Sequence, residues 1–129
     1  MNSLTIASVA GRTLIAILFI LAGVAKAFGP QPFLDHMAAF GVPSFFLPAV
    51  IALEIGGGVA LAIGWRLRDA AIALSAFCVI AAVVFHHEFG KPAERTLFLK
   101  DLAIAGGLLA LAASAEASRR ARIVSMPKA

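Results

Sequence analysis

Four apolar stretches, at residues 9–28, 44–65, 69–86 and 96–115, dominate this chain. Each holds roughly 20 residues, the length a helix needs to cross the hydrocarbon core of a bilayer. Inside lipid every backbone N–H and C=O must be satisfied within its own segment, so stretches of this kind are helices. Hydrophobic residues make up 61% of the sequence and charged residues 14%. Soluble domains carry about 45–50% and about 25%. The expectation is an all-α integral membrane protein, a four-helix up-and-down bundle forming a single transmembrane domain over 1–129 with a basic tail at 116–129. An alternative for the first stretch is a secretory leader, because Ala25-Lys26-Ala27 resembles a small-x-small cleavage site behind Arg12.

Four crossings bring both termini to one side of the bilayer. That side, with the tight second connection, carries Arg12, Arg66, Arg68, Arg119, Arg120, Arg122 and Lys128, while the other carries Lys26, Lys91, Arg95 and Lys100. Seven basic residues against four predict cytoplasmic termini. Membrane lipid is the first partner implied, in a bacterial inner membrane. The net charge of +4 comes without any basic stretch interleaved with aromatics, so nucleic acid is not an expected partner. In the first, outward connection, residues 32–40 fit a short helix ended by Gly41, with Phe33, Met37 and Phe40 on one face and Asp35 and His36 turned elsewhere. It reads as a surface helix, a lid over the bundle, or an ordinary loop.

Glu54 is the one charged residue inside the second stretch, about 14 Å from its outer end. A carboxylate at that depth is paired, protonated or lining a site. Its candidate partners lie in the outer leaflet. On the first helix, Arg12, Ala16, Phe19, Gly23 and Lys26 fall on one stripe. Arg12 and Lys26 are about 21 Å apart along the axis, so they cannot share a ligand. Each either points inward along the stripe or snorkels to its own interface. Lys100 and Asp101 either divide inward and sideways or form a pair at headgroup level; alignment of Lys100 with Gly107 favours Lys100 inward. His86 and His87 are adjacent and cannot converge on one metal from one helix, so no metal is expected, and one histidine, His86, is the candidate inward group. The chain's one cysteine, Cys78, excludes an intrachain disulfide or a dithiol relay and reads as a packing residue. No haem, flavin or iron–sulfur signature is present in the sequence.

These residues together form a pattern. Arg12, the run from Leu18 to Lys26, Gly41-Val42-Pro43, the run from Glu54 to Gly58, Gly64-Trp65-Arg66, Lys100-Asp101-Leu102 and Gly106-Gly107 succeed one another in an order that resembles the DoxX-like family of small four-helix membrane proteins. The resemblance implies a similar bundle, a link to quinone-coupled oxidation or redox-defence complexes, and recurring polar residues at Arg12, Lys26, Glu54, Lys100 and Asp101. Relatives that work through cysteine pairs share the plan, but this chain lacks the cysteines.

The expected function is a redox-associated membrane protein with a polar pocket in the outer half of the bundle. That pocket binds a small molecule, a quinone or a small oxyanion. Lys26 and Lys100 supply positive charge, Asp101 and Arg12 complete the ligand-binding set, and Glu54 and His86 move protons. The alternative is a non-catalytic subunit or assembly partner of a redox complex, with the buried charges as a structural network.

Overall fold

The computed structural model describes residues 2–128. Five helices follow one another: α1 Ser3–Phe28, α2 Gln31–Ala39, α3 Phe46–Ile63, α4 Leu67–Phe85 and α5 Pro92–Ser125. There is no strand among the described residues. Of the five, α1, α3, α4 and α5 are long and apolar enough to span a membrane.

The ends of these helices follow from local chemistry. Asn2 caps α1, its side chain accepting the Thr5 amide at 2.8 Å, so the helix starts ahead of its apolar stretch. Gly41 closes α2 at φ 72°, and the Val42 amide reaches back to the Met37 carbonyl at 2.9 Å. Gly64 closes α3 in the same way at φ 78°, with the Trp65 amide on the Ala60 carbonyl at 2.9 Å. Both are left-handed caps that satisfy the last carbonyls of a helix and favour glycine. The turn into α4 also holds Arg66 left-handed, at φ 46°.

The tail departs from expectation. α5 does not stop near residue 115 but continues as helix to Ser125. Glu116 accepts hydrogen bonds from Arg119 and Arg120 one turn on, at 3.0 and 2.9 Å, which supports helix outside the apolar region. At 34 residues α5 is about 51 Å long, well beyond the ~30 Å hydrocarbon core.

Two helix pairs make the bundle. α1 packs mainly on α3, α4 mainly on α5, and a narrower contact between α3 and α4 joins them. Both pairs run antiparallel: Gly23 meets Glu54 and Ile55 while Ala16 meets Gly58, and Ser75 meets Ala105 while Arg68 meets Glu116. The α1–α3 contact is close because both helices present glycine. A Cβ on Gly23 would stand 2.6 Å from Ile55 Cγ1, and one on Gly58 would stand 3.2 Å from the Ala16 carbonyl oxygen. Membrane helices gain little from the hydrophobic effect and associate by such close packing. The shared core is Ala16, Phe19, Leu61, Ala71, Leu74, Cys78, Ala105, Leu108 and Ala112. Its small side chains draw the backbones together around fully buried Leu61, Leu74 and Leu108. Between α4 and α5 the Ser75 hydroxyl donates to the Ala105 carbonyl at 3.0 Å, spending a polar group on helix association.

Most of the apolar surface faces outward. Leu14, Ile17, Leu18 and Leu21 are exposed along α1, and only 11% of its apolar window is buried within the protein. In water such a face would drive aggregation; in lipid it is the solvated face.

Candidate functional site

Glu54 is buried, 3% exposed, on the face of α3 that meets α1. Its partner is Lys26. The ammonium stands 3.0 Å from each carboxylate oxygen and donates its hydrogen bond to Oε1. Gly23, one turn before Lys26, lets α1 approach Glu54 this closely. The same ammonium lies 4.8 Å from the centre of the Phe33 ring, a cation–π contact supplied by α2. Oε2 of Glu54 is fully buried, with the Lys26 ammonium as its ion-pair partner as well.

This pair lies in the wall of a cavity of about 690 Å³. Phe46, Leu47 and Val50 of α3, Phe77, Ile80 and Val84 of α4, and Phe33 and Met37 of α2 form apolar walls. Cavities of about 300–1,000 Å³ with mainly apolar linings and a few polar groups are the usual form of small-molecule sites.

A second polar cluster sits on the rim. His86, at the end of α4, shares a hydrogen bond with Glu94 Oε2 through Nδ1 at 2.8 Å, while Nε2 lies 3.9 Å from Asp101 Oδ2. His86 and Asp101 line the cavity. α2 folds over this end. Its His36 ring stacks on Phe85 with centres 5.1 Å apart, and Phe40 meets Phe85 edge-on at 5.5 Å. In the adjoining connection the Lys91 ammonium pairs with Glu88. That contact holds the Glu88 carboxyl below its ordinary range.

The structure thus brings Lys26, Glu54, His86 and Asp101 to one cavity and leaves two expected residues elsewhere. Lys100 is exposed on α5 and does not line it. The inward face of α5 is instead Asp101, Ala105, Leu108 and Ala112. The alignment of Lys100 with Gly107 points the other way, but a Cβ on Gly107 would meet only Ile15 Cδ1 at 4.0 Å and one on Gly106 nothing within 4 Å, so neither marks a close helix contact. Arg12 lies at the opposite end of the bundle, beside Gly64.

Three participants were not singled out from the sequence: Phe33 as a cation–π partner, Glu94, and His36. His36 was placed away from the apolar face of α2, yet it lines the cavity. The signal was available, since His36 stands three residues after Phe33 and four before Phe40. Glu94 carried no comparable signal, because its position depends on how α5 begins after Pro92. Among the described residues, no three or more His, Cys, Asp or Glu side chains gather where they would hold a metal ion.

Comparison with known proteins adds three findings. The family model described as DoxX matches residues 7–87. Inner membrane protein YqjF of Escherichia coli (strain K12) is 43% identical over 101 residues, 78% of each chain. Inner membrane protein YphA of the same organism is 28% identical over 108 residues, 78% of this chain and 77% of its own. No solved structure matches at a significant level.

Proposed function

The chain belongs to the DoxX family, and from that premise we propose that the cavity beside Glu54 binds a small amphipathic molecule of the quinone class, in its reduced, quinol form. The protein is an inner membrane protein, like the two E. coli relatives. The orientation we infer is with both termini in the cytoplasm, by the excess of basic residues at that end. The cavity then opens toward the outer leaflet, and α2 lies over it at the membrane surface.

One observation carries the ligand class: the carboxylate of Glu54, buried and met by Lys26, lines a mainly apolar cavity. A carboxylate can accept about four hydrogen bonds, and a ligand hydroxyl would add one to that of the Lys26 ammonium. A quinol or similar phenol brings that hydroxyl on an apolar ring. A small oxyanion fits less well. The Lys26 ammonium is already neutralised by Glu54, and an anion beside that carboxylate would meet its like charge. Phe33, Phe77 and the aliphatic wall residues would take the ring and the start of its tail.

At the rim, Glu94, His86 and Asp101 form a string of titratable groups through which a hydroxyl proton would leave the cavity. Electrons are another matter. The chain's one cysteine, Cys78, is buried and has no second thiol to work with. A quinol oxidised here would therefore pass its electrons to a redox protein docked beside the bundle.

The test is equilibrium binding of a short-chain ubiquinol analogue to the purified protein. Glu54→Gln and Lys26→Met are each expected to weaken binding at least about tenfold, the value of one charge-assisted hydrogen bond. Wild-type affinity in a folded Glu54→Gln protein would remove Glu54 from the site and the quinol with it.

A further inference from the structure

At the end of the bundle away from Lys26 lies a second cavity of about 480 Å³, and its charge is unbalanced. Arg12 of α1, Arg66 of the α3–α4 turn, Arg68 of α4, and Arg119 and Arg122 of α5 line it. Two carboxylates, Asp69 and Glu116, line it with them. Both are already shared. Asp69 stands 3.5 Å from Arg66 and 3.7 Å from Arg68. Glu116 holds Arg119 at 3.0 Å and Arg120, outside the cavity, at 2.9 Å, with Arg68 at 3.8 Å. Within the lining, five cations against two anions leave an excess of three positive charges.

Arg12 has no anionic partner among the described residues. It is partly buried, and its Nε is fully buried without a hydrogen-bond acceptor. Its guanidinium rests over Gly64, where the absent side chain leaves Nη1 3.5 Å from the place a Cβ would occupy. An arginine fork carries five N–H donors in fixed directions and cannot be deprotonated, so Arg12 brings to the cavity a positive charge that no carboxylate among the described residues answers.

We propose that this cavity is a phosphate-binding site, with Arg12 and Arg122 as the arginines that bind the ligand. A phosphate group has the oxygens and the charge to engage several guanidinium forks at once, which a lone carboxylate does not. Three serines on the lining, Ser8, Ser114 and Ser118, offer hydroxyl donors to the remaining oxygens. The cavity sits where the apolar stretches end, at the level of lipid headgroups, and α5 rises past it. Two sources present the same chemistry there: a phospholipid headgroup entering from the leaflet, and free phosphate entering from water. Neither reading depends on what occupies the cavity beside Glu54.

Trp65 makes the site readable. It is the chain's one tryptophan, it adjoins the turn that lines the cavity, and the Arg66 guanidinium lies 5.6 Å from its ring. The full chain, in nanodiscs of phosphatidylcholine, is titrated with phosphatidic acid and separately with inorganic phosphate while Trp65 fluorescence is followed. A saturable change with both probes assigns a general phosphate site, and one with phosphatidic acid alone assigns a lipid headgroup site. Arg12→Gln and Arg122→Gln are each expected to weaken the responding probe about tenfold. Arg95→Gln, on the other end of the bundle, should leave it unchanged. No response to either probe, wild-type affinity in Arg122→Gln, or an equal loss in Arg95→Gln would each overturn the site. Should Arg12→Gln fail to fold, the exposed Arg122 decides the matter by itself.

Discussion

At one end of the bundle a single lysine meets a single carboxylate among apolar walls; at the other, five arginines and two carboxylates line a polar opening. The first arrangement is neutral and buried, held at 3.0 Å by a glycine that lets two helices touch. The second is charged and largely exposed, and most of its pairs sit at 3.5 Å or more. Charges buried in low dielectric interact strongly and lose much when one partner goes, whereas exposed charges are screened and interchangeable. Separating Glu54 from Lys26 should therefore cost stability, and separating an exposed pair at the arginine end should cost little.

The sharpest way to break that contrast is to separate the inner pair. Lys26→Met strands Glu54 in the core and is expected to cost about 3 kcal/mol, read as the midpoint of denaturation in mild detergent. Glu54→Gln should cost less, about 1 kcal/mol, because Lys26 is partly exposed and can turn its ammonium to the interface. The reverse order would mean that Lys26, not Glu54, is the trapped charge.

Glycines at the two ends give the next test. Gly23→Ala drives a Cβ into Ile55 and Glu54 and should destabilise by about 2 kcal/mol, while Gly64→Ala strains a left-handed cap for about 1 kcal/mol. Gly56→Ala, with nothing within 4 Å of the added carbon, should be neutral or slightly stabilising in the same melts.

Glu116→Gln should leave the melting temperature almost unchanged although it removes several ion pairs, since all its partners are exposed. A large drop would place that network inside a low-dielectric environment and erase the difference between the ends.

The smallest effect is one of pH. Lys91 lowers the Glu88 carboxyl, so the contact stabilises the folded chain above the ordinary carboxylate range, and that contribution fades as pH falls through the lowered value. Wild type and Lys91→Met should therefore differ slightly in melting temperature at neutral pH and converge in acid.

The four spans were legible because a bilayer demands about 20 apolar residues and tolerates little else. Glu54 was legible for the converse reason, as a charge where none is cheap. Lys26 was found through the stripe it shares with Ala16, Phe19 and Gly23, all three of which are buried. Lys100 was not placed correctly. Adjacent residues on a helix differ by about 100°, and Gly107, with which Lys100 aligns, is exposed and makes no close helix contact. The helical tail was missed because its ten residues owe their helix to charged pairs, not to an apolar face.

The pairing of α1 with α3 has a consequence for how this chain is made. α4 and α5 are neighbours in sequence and can zip together as a hairpin soon after both have entered the bilayer. α1 cannot do this. Its glycine-lined face and Lys26 must wait, through the whole of α2, for α3 and its carboxylate to arrive. During synthesis the first helix is thus the vulnerable one, carrying an unmatched cation near the membrane until its partner is delivered. The length of the segment between them sets how long that exposure lasts.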